Sequence, residues 1–292
     1  LDSLKTTPDS GKLKYTIADS DADGNFNYFK LESDDDGCKD VIEAGFLDSD
    51  ADGLLGNSPV TVNDKGIVTS GTGYTTPNAN YTIGAPIVIT TQPSNKSQCL
   101  LQSTTFEVVS NADSFQWELS TDGTTWTTLT NNANYSGVTT KTLQVNSIAA
   151  SMNGYIYRVQ LNRVGNSCGL TSTVATLTTL ALPTVASSIT LKQCDDNIDG
   201  ISDFNLTEKN SFISTNYLNE MFTYFKTAAG ATANDVATKI ADPTKYTSGI
   251  GSVWARVENT NGCFSTSEIQ LIVSATQIPA TFKRNFTVCD DY

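Results

Sequence analysis

The residues best suited to chemistry lie in one short acidic stretch, which we call the acidic segment (19–53). Between Asp19 and Asp52 the chain carries twelve carboxylates and two lysines, with apolar side chains interleaved and glycines at fixed offsets from aspartates. A solvated acidic tail lacks both of these features. Carboxylates at this density repel one another, and oxygen is the ligand that Ca²⁺ prefers. The segment therefore predicts cation binding.

The pattern D-x-D-x-D-G, which is typical of calcium loops, occurs twice in this segment. It places carboxylates at alternate positions, followed by a glycine that permits a sharp turn. We call these the first loop and the third loop. The predicted ligands are Asp19, Asp21, Asp23, Asn25 and Asn27 in the first loop, and Asp48, Asp50, Asp52 and the carbonyl of Leu54 in the third.

The middle loop, from Glu32 to Glu43, is the most complete of the three. It has an oxygen donor at every ligand position of the roughly twelve-residue calcium loop. The first and third loops instead have Lys30 and Pro59 at the last of these positions. The predicted ligands of the middle loop are Glu32, Asp34, Asp36, the carbonyl of Cys38, Asp40 and Glu43.

A fourth loop follows Cys194. It has oxygen donors at all but the last ligand position, where Leu206 stands. The alternative is a plain Asp/Asn/Gly turn after a cysteine. The predicted ligands of the fourth loop are Asp195, Asn197, Asp199, the carbonyl of Ile201 and Asp203.

The three acidic loops are too close together to be EF-hands. Their first residues are separated by 13 and 16 positions, which leaves no room for the helices that flank an EF-hand loop. Neighbouring loops are therefore expected to share ions and to cover one another. This arrangement resembles the thrombospondin type 3 repeat, in which the chain winds around a row of calcium ions. The alternative is a solvated acidic linker.

The block 87–182 is patterned as short strands with turn residues between them. This pattern favours a Greek-key sandwich and resembles an immunoglobulin-like fold. Trp117 falls where the core tryptophan of that fold lies, and Tyr157 occupies the position of the usual core cysteine. The predicted strands are 104–110, 114–120, 125–130, 141–147, 154–164 and 172–180.

The whole chain is predicted to be mainly β. A loop-rich calcium-binding N-terminal domain (1–86), ending in a hairpin, is followed by two Ig-like Greek-key β-sandwiches in tandem (87–182 and 183–276). Residues 277–292 are expected to begin a further repeat, because "TVCDDY" repeats "KQCDDN" after 95 positions.

Four of the six cysteines are equally spaced. Cys99 and Cys168 are 69 positions apart, and so are Cys194 and Cys263. Each pair falls within one predicted sandwich. The spacing therefore predicts one disulfide in each sandwich and an oxidising location outside the cytoplasm.

Cys38 and Cys289 are left over. Two interpretations of Cys38 stay open: a buried free thiol, or a disulfide with a residue upstream. The partner of Cys289 is expected beyond Tyr292. The sequence also begins without the charged and apolar regions of a signal peptide. We expect an internal piece of a longer exported protein, or one that has lost its leader.

The composition argues against several functions. A net charge of −13 repels nucleic acid and anionic membranes, and no apolar run is long enough for membrane insertion. The chain contains no histidine, which removes Ser-His-Asp and Cys-His arrangements. No catalytic residue is predicted, and we do not expect an enzyme.

The segments "DSDADG", "SDDDGCKDVIEAGF" and "CDDNIDG", together with the cysteine-containing β-domains, resemble the repeat regions of SprB-like gliding-motility adhesins of Bacteroidota. The resemblance implies an extracellular, calcium-stiffened stalk segment at the cell surface. Its cofactor would be calcium. Its partners would be neighbouring repeats of the same long chain and the type IX secretion and motility machinery, with surface polysaccharide as a further candidate.

The rival hypothesis is a carbohydrate-binding or spacer module of a secreted polysaccharide-degrading enzyme. Carbohydrate binding would require exposed aromatic side chains in a planar row. Trp126 is the best candidate for such a role.

Overall fold

A computed structural model describes residues 17–195 and 197–274. The chain divides into two compact units, one running to Thr179 and the other starting at Leu180. The predicted repeat at 277–292, with Cys289, lies outside the described residues. No helix in the described ranges is both long and apolar enough to cross a membrane.

The acidic segment and the residues up to the first sandwich consist mostly of loops. The regular elements are the helix α1, Asp40–Glu43, and two 3-10 turns, Asn27–Phe29 and Asn80–Thr82. The predicted hairpin is present, because Val62 and Val68 form an antiparallel bridge. Few apolar side chains are buried here, so hydrophobic burial contributes little to the stability of this part. The buried apolar residues are Cys38, Val41 and Ala85.

The rest of the first unit is a two-sheet β-sandwich. One sheet has the strand order β2-β11-β9-β5-β6, with β10 paired to β9, and the other has the order β3-β8-β7, while β1 pairs with β4. A 3-10 turn, Ala150–Met152, precedes β9. The strands are β1 Ile89–Thr91, β2 Lys96–Cys99, β3 Thr104–Glu107, β4 Val109–Ser110, β5 Ser114–Ser120, β6 Thr127–Thr128, β7 Tyr135–Ser136, β8 Thr142–Val145, β9 Ile156–Arg163, β10 Asn166–Thr171 and β11 Ala175–Leu180.

This strand order is that of an immunoglobulin-like Greek-key sandwich, as predicted. Each of the six predicted strands corresponds to an observed strand or strand pair, because alternating inward and outward side chains mark strands that are buried on one face. Trp117 on β5 is fully buried, and its indole N–H donates to the carbonyl of Thr140 over 2.9 Å. Trp117 is therefore a core residue.

The second unit follows the same plan with a smaller second sheet. Its main sheet has the order β12-β17-β16-β14, and β13 pairs with β15. The first strand, β12, runs parallel to the last strand, β17, while the other pairs are antiparallel. The strands are β12 Ser188–Cys194, β13 Ser202–Phe204, β14 Met221–Phe225, β15 Tyr246–Ser248, β16 Gly251–Glu258 and β17 Phe264–Ser274; the helices are α2 Asn210–Ile213 and α3 Ala228–Ala233, with 3-10 turns at Leu206–Lys209 and Tyr217–Asn219.

The predicted disulfide between Cys99 and Cys168 is wrong. Cys168 lies on β10, which pairs with the end of β9, and it is bonded to Cys38 with a Cα–Cα distance of 5.5 Å. Cys99 is also disulfide-bonded, but it ends β2 at the opposite end of the sandwich. There the N–H of Leu101 donates to the carbonyl of Ile148, shortly before β9 begins.

The predicted disulfide between Cys194 and Cys263 is also wrong. Cys194 ends β12 in register with Ser274, the last residue of the parallel strand β17, whereas Cys263 directly precedes β17. At about 3.3 Å per residue, the length of β17 separates the two cysteines by roughly 35 Å, far beyond the reach of a disulfide. Within the described residues Cys194 is an exposed free thiol, while Cys263 is disulfide-bonded.

Candidate metal centre

Nine carboxylates come together in three groups of three, one in each acidic loop. In every group the three side chains offer oxygens that all lie within 4.8 Å of one another. Ca²⁺ holds its ligands at about 2.3–2.6 Å, so oxygens on opposite sides of one ion are about 5 Å apart. Each group therefore has the dimensions of a site for a single ion. The groups are Asp19, Asp21 and Asp23; Glu32, Asp34 and Asp36; and Asp48, Asp50 and Asp52.

The backbones of the first and third loops are folded in the same way. Gly24 and Gly53 have φ of 91° and 85°, a region that residues with a side chain rarely adopt. The N–H of Gly24 donates to Asp19 Oδ2 over 3.1 Å, and that of Gly53 to Asp48 Oδ2 over 3.0 Å. The other oxygen of each carboxylate, Oδ1, is buried and has no hydrogen-bond partner among the described residues.

The middle loop is the most deeply buried of the three. Asp34 is 7% exposed and Glu43 is fully buried. None of the four carboxylate oxygens of these two side chains has a hydrogen-bond partner in the described part of the chain. A buried charge without a partner is strongly destabilising. A bound divalent cation would supply the missing partner.

Burial also changes the acidity of these two groups. Burial and the negative charges of Asp36 and Glu32 raise the pKa of Asp34 to about 7. Burial and the charges of Asp34 and Asp36 raise the pKa of Glu43 to about 8. At both residues the surroundings disfavour the ionised carboxylate. A cation bound beside these side chains would stabilise the ionised form and lower both pKa values.

Five other predicted ligand residues form hydrogen bonds within the loops. Both carboxylate oxygens of Asp40 accept hydrogen bonds from Ser33, at 2.7 Å from its N–H and 2.5 Å from its Oγ. Asn27 Oδ1 accepts from the N–H of Ser20, and Asn27 Nδ2 donates to Ser20 Oγ, each over 2.8 Å. The amide of Asn25 donates to Asp23, and the N–H groups of Cys38 and Leu54 donate to Asp36 and Asp52.

Helix α1 forms the last part of the middle loop and carries Glu43 at its end. The N–H groups of Ile42 and Glu43 both donate to the carbonyl of Lys39, at 2.9 and 3.1 Å, so the chain turns back within the loop. Val41, on the same helix, is buried. The apolar residues interleaved with the carboxylates thus anchor the segment that carries Glu43.

The middle loop is tied to the first sandwich by contacts that sequence reasoning did not find. The disulfide joins Cys38 to Cys168 on β10. Asp36 Oδ2 accepts from the N–H of Ala85 over 3.1 Å, and the Asp36 carbonyl accepts from the side chain of Asn166 over 3.4 Å. The Asn166 side chain in turn accepts from the N–H groups of Cys168 and Gly169. No local spacing signals these contacts, because they join residues far apart in sequence.

The fourth loop has the same glycine turn as the acidic loops, with a positive φ at Gly200. Unlike them, its described residues have no buried carboxylate oxygen without a hydrogen-bond partner. Asp195 Oδ1 accepts from the N–H of Ile198 over 2.7 Å, and Oδ2 accepts from Gly200 over 2.8 Å. Asp203 is bonded to Thr247 and lies 3.6 Å from Lys245. Asn197, Asp199, Ile201 and Asp203 line a cavity of about 380 Å³. The carboxylates of the fourth loop are thus already partnered by the protein.

Trp126, the aromatic residue considered for carbohydrate binding, is half-buried. The guanidinium of Arg158 lies over its ring, 3.9 Å from the centroid, and is held there by Glu118 over 2.7 Å. One face of the indole is therefore covered by the protein's own side chain.

Residues 190–279 match the model of a family described as the Flavobacterium inter-domain disulphide bond domain. The match includes Cys194 and Cys263. Comparison with curated proteins gave no match.

Two solved structures that resemble this chain contain tandem immunoglobulin domains, and both have low TM-scores. The titin fragment I67–I69, solved as an E-to-A variant, is 15% identical to this chain and has a TM-score of 0.28. The likeness covers 65% of this chain and 66% of the titin fragment. The Ig1-2 module of the Drosophila receptor protein tyrosine phosphatase DLAR is 13% identical to this chain and has a TM-score of 0.27. The likeness covers 65% of this chain and 100% of the module. The Ig-like assignment rests on the strand order and not on these likenesses.

Proposed function

We propose that this chain is a non-enzymatic, extracellular segment of a surface adhesin, in which tandem β-domains form a stalk and calcium orders the acidic segment. Disulfides are typical of extracellular proteins, and the chain combines a disulfide with Ig-like sandwiches and a family match whose description names Flavobacterium. These features support a structural role outside the cell.

The observation that carries the calcium proposal is a set of buried carboxylate oxygens without partners. Each acidic loop contributes at least one, from Asp19, Asp34 and Asp48, and Glu43 adds both of its oxygens in the middle loop. The oxygens of Asp19, Asp34 and Asp48 belong to groups with the dimensions of a calcium site. A solvated linker would expose its carboxylates to water and would not leave buried oxygens without partners.

Calcium would act on folding as well as on charge. Because the acidic segment buries few apolar side chains, repulsion among its carboxylates is not offset by a hydrophobic core. Ion binding would remove that repulsion and order the loops, since binding free energy contributes directly to folding in small metal-built domains.

The more specific parts of the proposal come from the resemblance to gliding-motility adhesins. We infer that the parent protein is exported by type IX secretion and coupled to the motility machinery, that neighbouring repeats continue the stalk, and that surface polysaccharide is a candidate for what the adhesin contacts. The carbohydrate-module alternative gains no support from Trp126, because Arg158 covers one face of its ring.

Limited proteolysis and thermal unfolding of the oxidised chain, in calcium and in EGTA, test the calcium proposal, with bound metal counted by native mass spectrometry. We expect calcium to protect the segment 19–53 and to leave the cleavage of both sandwiches unchanged. If the chain carries no metal and is cleaved identically in both buffers, the acidic segment is not a calcium-built domain.

A further inference from the structure

The first loop already holds a cation of the protein's own. The ammonium of Lys30 lies 2.5 Å from Asp21 Oδ2 and 2.9 Å from Asp23 Oδ2. Its side chain is only 14% exposed. Lys30 thus engages two of the three carboxylates of this loop.

The middle loop has no such partner. No lysine or arginine forms an ion pair with its carboxylates within 17–195 or 197–274. Asp34 and Glu43 are more than nine-tenths buried, and their four carboxylate oxygens are without hydrogen-bond partners among the described residues. Binding of a divalent ion should therefore be most favourable in the middle loop.

Lys39 lies beside the third loop but makes no contact with Asp48 Oδ1, the oxygen without a partner in the described structure. The Lys39 ammonium donates to the carbonyl of Ala51 over 2.8 Å and lies 3.9 Å from Asp48 Oδ2, the oxygen that also accepts from Gly53. Its side chain is 40% exposed. Asp48 Oδ1 stays buried and unpartnered within the described structure. Lys39 therefore screens the loop without occupying it.

We propose that the acidic loops bind calcium in a fixed order, with the middle loop filled first and the first loop last, because Lys30 stands in for an ion there until calcium displaces it. The inference rests on the proposed calcium function. It assigns Lys30 a regulatory role: it makes the first loop respond only to calcium concentrations well above those that fill the middle loop. Calcium binding to the first loop must break both ion pairs of Lys30, whereas binding to the middle loop breaks none.

Calcium titration of the full oxidised chain by calorimetry tests this order, with native mass spectrometry to count ions. Lys30→Gln should tighten the weakest calcium-binding step by about tenfold, because calcium no longer has to break the two ion pairs of Lys30. Lys30→Arg keeps the positive charge and should leave that step close to its wild-type affinity.

Lys39→Gln is the matched control, because it removes the same charge from the same segment without vacating a carboxylate group. We expect its effect on every step to stay within about threefold. Equal tightening by Lys30→Gln and Lys39→Gln would show a general charge effect and overturn the inference while the calcium function stands. A wild-type chain that takes up no calcium would overturn the proposed function and the inference with it.

Discussion

The rings of Phe106 and Tyr157 lie with their centroids 4.7 Å apart in the core of the first sandwich. Phe106 is on β3 and Tyr157 on β9, which correspond to the two strands that a disulfide joins in antibody domains. Both side chains are fully buried. An aromatic contact between the sheets therefore takes the place of that disulfide, and Cys168 lies outside the core, where it bonds to Cys38.

Phe106→Ala should lower the free energy of unfolding of the first unit by about 3–5 kcal/mol, because it leaves a cavity between the two sheets. Tyr157→Phe is the matched control. It keeps the ring and removes only a hydroxyl that lies 3.4 Å from the hydroxyl of Tyr135, so a loss of about 1 kcal/mol or less is expected. Urea unfolding followed by tryptophan fluorescence measures both, and equal losses would refute the role of the ring contact.

Cys38→Ser should loosen the acidic segment from the first sandwich. The disulfide links residues 130 positions apart, and removing such a cross-link typically costs about 2–4 kcal/mol. We expect faster proteolysis within 19–53 and weaker calcium binding by the middle loop. Cys194→Ser alters a thiol of the second unit that is exposed and free within the described part of the chain, and it should change neither property.

Glu43→Gln should act in opposite directions with and without calcium. With calcium it removes a charged ligand from the middle loop, so the affinity of the tightest step should fall by at least about tenfold. In EGTA at a pH above about 8, where Glu43 is ionised, it removes a buried, unpartnered charge, so the segment should resist proteolysis better than the wild type.

Asp35→Asn is the control for Glu43→Gln. Asp35 is exposed, and its φ of 55° lies in a region that asparagine tolerates. It removes the same charge from the same loop and should have little effect in either buffer. A Glu43→Gln variant that behaves like Asp35→Asn would exclude Glu43 as a calcium ligand.

Arg256→Met should destabilise the second unit by about 2–3 kcal/mol. The Arg256 side chain is largely buried, lies over the ring of Phe264 with its Cζ 3.3 Å from the centroid, and donates to the carbonyls of Ala231 and Thr232 at 3.2 and 3.1 Å. Methionine keeps the volume but leaves those two carbonyls, in helix α3, without their donor.

Lys245→Gln is the comparison for Arg256→Met. It breaks the ion pair with Asp203, which is largely solvent-exposed, and should cost less than about 0.5 kcal/mol. Differential scanning calorimetry resolves the two cases, and similar melting temperatures for both variants would refute the argument.

The local features of this chain were predictable from its sequence. The carboxylates of one loop are separated by only a few backbone dihedral angles, so the D-x-D-x-D-G spacing determines that Asp19, Asp21 and Asp23 converge. Alternation likewise marked β5 and β9, because strands buried on one face carry that period.

The features that depend on distant parts of the fold were not predictable in this way. Equal spacing suggested a bond between Cys194 and Cys263, but the parallel pairing of β12 with β17 places them at opposite ends of the sheet. The hydrogen bonds of Asp40 with Ser33 have no signal in the ligand spacing. The ion pairs of Lys30 depend on side-chain direction, which position in the sequence does not specify.

The parallel pairing of β12 with β17 also determines how the second unit responds to mechanical tension. Seven residue pairs, from Ser188 with Glu268 to Cys194 with Ser274, join the first strand of the unit to its last. Tension applied through these two strands pulls them in opposite directions along their length, and the hydrogen bonds between them lie across that direction. The bonds are then loaded together in shear and must break nearly at once, instead of opening one after another like a zipper.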